Sequence, residues 1–276
     1  MSSSRHPLAL AVERRVDDAT RMLAVVMCLP LVDGIFPALV LAGALGTPTG
    51  IVEVGLLVFG GSATVAVILA EMDDGPGSPV RPVLAVGAVV VALAVVEAAL
   101  APTIAGVLDL AIFERFAAVV ILAVAARTAS ARIAEFIPRP AVVVGLGLIA
   151  SLDPAGATLT VRIEPVLLAR AFAASGIGVG FAVLVALVSP WLRDAVDLDR
   201  FRFGSAVALG VLALSILPVR IVPAEAPVAL AVLAVTAVLA FDPDQVRRRD
   251  DTRTTGDETV SAPDGADQDT ERAPWL

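Results

Sequence analysis

Runs of about twenty apolar residues recur eight times along the 276-residue chain, separated by short segments rich in Gly, Pro, Asp and Arg. A helix needs about 20 such residues to cross the ~30 Å hydrocarbon core of a bilayer. Lipid also demands that backbone polar groups be satisfied within the segment, which a helix does and an irregular chain does not. The pattern therefore predicts an all-α polytopic transmembrane bundle of about eight spans. These fall at residues 22–45, 51–70, 82–101, 103–126, 141–160, 165–192, 203–218 and 226–241. Residues 1–21 read as a cytoplasmic segment with the spacing of a short interfacial helix, and residues 242–276 as an acidic, disordered cytoplasmic tail.

Composition agrees: 58% of residues are hydrophobic and 17% charged, against roughly 45–50% and 25% in soluble domains. The net charge is −8, the wrong sign for a nucleic-acid partner. Every basic residue is arginine, so lysine-dependent covalent chemistry is excluded. His6 is the single histidine and Cys28 the single cysteine. Thiolate clusters, His-pair haem ligation and the usual zinc sites have no ligands. No nucleophile, base and metal set comes together, so the chain is expected not to be an enzyme and to carry no cofactor. A membrane-embedded enzyme is the weakest of the readings considered.

Basic residues are retained on the cytoplasmic side of a membrane. Eight spans with the N-terminus inside place sixteen arginines in cytoplasmic segments and only Arg162 and Arg220 outside. Both termini are thus expected inside.

Two acids lie inside apolar runs. Asp33 in Pro30-Leu-Val-Asp-Gly-Ile-Phe-Pro37 falls about 16 Å along its span at ~1.5 Å per residue. Pro37 crowds and leaves unbonded the carbonyl four residues earlier, that of Asp33 itself. Asp153 in Ser151-Leu-Asp-Pro-Ala-Gly156 falls about 18 Å along the fifth span by the same rise. A carboxylate at mid-depth costs roughly 2.5–3.5 kcal/mol on insertion scales. Interrupted helices in corresponding places of two halves mark the binding sites of transporters. The expectation is two four-span halves with broken helices at Asp33-Gly34 and Asp153-Pro154. There Asp33 and Asp153, with carbonyls freed by Gly34, Pro37, Pro154 and Gly156, hold a monovalent cation or small solute. The plainer reading is that these acids cap half-helices or pair with an arginine. Arg115, Arg170 and Glu97 are the expected charge partners; on the plainer reading Glu97 and Asp109 simply sit near the outer interface. The chain then reads as a secondary transporter or exporter of a small solute or ion; the alternative is a non-catalytic membrane scaffold that docks a partner.

The stretches Pro30-Leu-Val-Asp-Gly-Ile-Phe-Pro-Ala-Leu-Val-Leu-Ala-Gly-Ala-Leu45 and Gly60-Gly-Ser-Ala-Thr-Val-Ala-Val-Ile-Leu-Ala-Glu-Met-Asp73 resemble an uncharacterised family of multi-pass membrane proteins from halophilic archaea, filed under a domain of unknown function. The resemblance spans most of residues 5–245 and implies a membrane location and a saline habitat, but no activity. The breaks at Asp33 and Asp153 are also similar to the Asp/Asn-Pro-x-Gly breaks of small-solute exporter families. Those have six spans in inverted halves, a parity this chain lacks.

Overall fold

The computed structural model describes residues 18–72, 79–153, 163–217 and 226–242, and every regular element among them is helical. Helices α1 (Asp18–Val32) and α2 (Ile35–Leu41) are joined at Asp33-Gly34, and a 3-10 turn (Ala44–Gly46) reverses the chain. The return leg is α3 (Pro48–Val54), a π-helical turn (Gly55–Phe59) and α4 (Ser62–Ala70). Next come α5 (Val80–Ala105), α6 (Leu110–Ala129), the short α7 (Ala131–Ala134) and α8 (Pro140–Ala150). Then follow α9 (Pro165–Ala195), α10 (Leu198–Ile216) and α11 (Val228–Ala240).

Each apolar run thus contains a helix, but few are built to cross a bilayer unaided. The α1–α2 pair over Asp18–Leu41, α5 and α9 are long and apolar enough. The α3–α4 pair, bent by 43°, makes a fourth. Helices α6 and α10 have 20 and 19 residues but carry Glu114, Arg115 and Arg127, and Asp199, Arg200 and Arg202. Helices α8 and α11 have only 11 and 13 residues.

The boundaries that bear most on the expected site differ from the sequence expectation. Helix α5 continues through Pro102 to Ala105, and Asp109 is not inside a span. It caps α6, its carboxylate accepting from the backbone N–H of Ala111 and Ile112, as a short acid at an N-cap should. Helix α8 stops at Ala150, well short of residue 160, because its end is held by another loop. The Asp109 N–H donates to the Ser151 carbonyl and the Asp153 N–H to that of Val107, while Ser151 Oγ turns back onto Gly147. The expected four-span repeat also fails to match: the second run is bent at Gly60-Gly61, whereas its counterpart α9 is one helix of 31 residues. The N-terminal segment up to residue 17 and the acidic tail from 243 lie outside the described residues.

Packing is inverted relative to a water-soluble bundle. The buried faces of α5 and α9 are rich in small residues, Gly87, Ala94, Ala98 and Ala101 on α5 and Ala171, Ala174, Gly178 and Ala182 on α9. Their outer faces carry Leu84, Leu93, Leu100, Phe172, Leu184 and Leu187, all exposed. Water would penalise so broad an apolar exterior, while lipid does not. Small residues inside let backbones approach, which is how helices associate without a hydrophobic drive between them. A methyl group on Gly87 would fall 2.4 Å from Val179 Cγ1. The serines within α9 are satisfied locally: Ser175 Oγ donates to the Ala171 carbonyl and Ser189 Oγ to that of Ala186.

The helix ends sort the charges. At one end Arg127 Nη1 donates to the carbonyls of Ala134 and Ile137, Arg202 Nε to that of Thr128, and Arg193 to that of Met72. Arg21, Arg81, Arg132, Arg139 and Arg200 belong to the same end by connectivity. Arg115 and Arg170 alone among the described arginines sit in the opposite half, with Glu53, Asp109, Glu114 and Asp153.

Candidate ion or solute site

The break at Asp33-Gly34 is real and has a clear cause. Gly34 takes φ 74°, ψ 12°, the left-handed conformation that ends a helix. Its N–H donates to the Leu31 carbonyl, and that of Asp33 to Leu29. Pro37 lies in the first turn of α2, where a missing donor costs nothing. Asp33 is half-buried at this joint, and the cations acting on its carboxylate are Arg127 and Arg139. Gly34 packs on Val144 of α8, a methyl on it lying 3.1 Å from Val144 Cγ1. Gly34→Ala is therefore expected to lower stability by about 1–2 kcal/mol, from the left-handed backbone with the added contact. Thermal unfolding in detergent reads this directly.

Asp153 is placed differently. It lies beyond the end of α8, exposed, on the loop paired with residues 107–109. The six steps from Val144 to Ala150 rise about 9 Å, so Asp33 and Asp153 occupy different levels of the bundle. Pro154 and Gly156 fall outside the described residues.

The polar site that the fold does build lies elsewhere. At the acid-rich end, a cavity of about 340 Å³ opens between the α2–α3 reversal, α6 and α10. Glu53 and Glu114 face it with Thr47 and Ser215, and Ala44, Gly43 and Leu212 complete the wall. The reversal is tight for identifiable reasons. Gly43 is left-handed at φ 74°, Pro48 starts α3, and Thr47 Oγ1 accepts from the Gly50 N–H at 3.1 Å. A methyl on Gly50 would meet the Ala44 carbonyl oxygen at 2.1 Å, so only glycine fits there. Glu53 follows one turn later and is only 6% exposed. Its carboxylate also lies against the backbone N–H groups of Ala229 and Leu230, in the first turn of α11. Two carboxylates and two hydroxyls in a small cavity suit a cation or the ammonium group of a small solute. Sequence reasoning did not single out Glu53 as a site; the signal that could have found it is its place on one helical stripe with Gly50, Val54 and Leu57, all buried in the structure.

The remaining expected charges do not assemble into a site. Arg115 is exposed and Arg170 half-buried. Glu97 is half-buried on α5, its Oε2 shut off from solvent with no hydrogen-bond partner among the described residues. Counting from the Gly87–Val179 contact at ~1.5 Å per residue, Arg170 of antiparallel α9 reaches the level of Glu97. The two form no ion pair. No group of three or more potential metal ligands exists among the described residues.

Residues 90–217, from within α5 to the end of α10, match the model of a family of unknown function, DUF5794. The matched segment includes Glu114 and Asp153 but neither Asp33 nor Glu53, and it is narrower than the span of residues 5–245 expected from the sequence. No curated protein and no solved structure matches the chain.

Proposed function

We propose that the chain is a multi-pass protein of the cell membrane, with both termini cytoplasmic, that moves a small cation or cationic solute as a secondary transporter. The bound species sits at Glu53 and Glu114. The observation that carries this reading is a carboxylate 6% exposed, on an interrupted apolar run, facing a polar cavity. Ionisable groups inside a membrane bundle are costly and mark ion or substrate pathways. Asp33, at the joint formed by Gly34 and Pro37, is a second acid further along the bundle. Asp109 and Asp153 stand at the mouth and concentrate cations there. The arginine-rich end faces the cytoplasm, in accord with the distribution of basic residues across membranes. The acidic tail and the lack of lysine favour a saline habitat. No covalent chemistry belongs to this reading.

Purified protein in detergent is expected to melt higher in Na⁺, K⁺ or a small organic ammonium than in bulky N-methylglucamine at equal ionic strength. Ligand at a hundred times its dissociation constant stabilises by about 2.7 kcal/mol. Glu53→Gln should abolish that rise, and Asp33→Asn should reduce it without unfolding the protein. An equal rise in Glu53→Gln, or none in the parent for any of the three, would contradict the site.

A second reading, a scaffold docking a partner helix, draws on one observation. An apolar groove of about 850 Å³ runs between α10 and α11, walled by Phe203, Val207, Val235 and Leu239. On that reading Glu53→Gln only destabilises and no cation responds.

A further inference from the structure

The Glu53 carboxylate belongs to two structures at once, the polar cavity and the first turn of α11. Helix N-termini attract negative charge because their first amides lack partners. A cation or proton that neutralises Glu53 therefore weakens what holds the start of α11. The seating of α11 makes this consequential. Its one extensive packing partner is α10. A groove lies on one side of it and, on the other, an apolar cavity of about 230 Å³ against Gly60, Gly61 and Phe181. Its far end is tied to the 195–197 turn: the Asp197 N–H donates to the Ala240 carbonyl and the Asp242 N–H to that of Ala195. Midway, Gly204 of α10 admits Thr236, whose Oγ1 would sit 2.1 Å from a methyl at that position.

Resting on the cation site proposed above, we infer that α11 is a gate latched by Glu53: occupancy of the cavity releases its first turn, and α11 swings about the Gly204–Thr236 contact and its tied end. The charged group facing Glu53 across the cavity is Glu114 of α6; Thr47 and Ser215 are its polar neighbours, and α11 presents backbone amides only.

Leu233→Cys, in a Cys28→Ala background, places a thiol in the apolar cavity behind α11. Its alkylation rate at fixed pH is expected to rise roughly tenfold when Glu53→Gln removes the charge, the order of a helix-terminus interaction. Na⁺ or K⁺ should raise it in the parent and leave it unchanged in Glu53→Gln. Glu53→Asp should retain the cation response if the glutamine variant fails to fold. A parent stabilised by cation but with a flat labelling rate overturns the gate and leaves the site standing. Equal rates in parent and Glu53→Gln overturn the latch. Absence of any cation-dependent melting shift removes the site and the gate together.

Discussion

Glu53→Gln is expected to lower gradient-driven uptake into proteoliposomes by about a hundredfold, while the protein still purifies as a folded, helical species. The side chain keeps its size and shape but loses the charge that balances a bound cation. Truncating one partner of a buried charged pair costs about 2–5 kcal/mol, and ~1.4 kcal/mol corresponds to a factor of ten. Glu114→Gln should have a smaller effect, because Glu114 is only half-buried where Glu53 is 6% exposed. Uptake that persists at the parental rate in Glu53→Gln would assign Glu53 to structure alone.

The largest loss of stability is expected at Gly178. Helix α9 crosses the π-helical turn so closely that a methyl there would fall 2.4 Å from Phe59 Cβ and 2.6 Å from the Gly55 carbonyl oxygen. Neither is a flexible side-chain end, so α9 and the bent span must separate. Overpacking a tight contact costs about 1–3 kcal/mol and occasionally more, and a leucine adds further bulk. Gly178→Leu should lower the melting temperature more than Gly34→Ala, and should disturb the tilted Phe36–Phe59 contact, whose rings lie 5.1 Å apart. The control is Gly180→Ala on the same helix, where a methyl meets nothing within 4 Å and stability should hold or rise. Equal melting temperatures for Gly178→Leu and the parent would show that this crossing does not hold the bundle.

The parts of this fold that could be read from the chain are those governed by local chemistry. Apolar runs became helices, and Asp33-Gly34 with Pro37 became a break, because a left-handed glycine and a missing donor act within one turn. Asp109 was harder. An acid after an apolar run can be an intramembrane charge or the cap of the next helix, and only the position of the 106–109 turn decides. Helix α8 ends at Ala150 through bonds to residues 107 and 109, more than forty residues away, which no local pattern contains. The same holds for the cavity. Glu53 stood in a buried stripe, but its pairing with Glu114 and Ser215 depends on how α6 and α10 meet the α2–α3 reversal. The two aspartates that stood out did so because proline and glycine adjoined them. The structure puts Asp153 on a loop beyond the end of α8 and Asp33 at a joint between helices.

Ser215→Cys, in the Cys28→Ala background, places a single thiol on the wall of the Glu53 cavity. Treated from outside in intact cells, it should react with a small membrane-impermeant cationic thiol reagent, and Na⁺, K⁺ or a small organic ammonium should protect it in the parent but not in Glu53→Gln. A thiol that reacts only after the membrane is dissolved, or that no cation protects, would contradict a water-filled cation site open to the outer face.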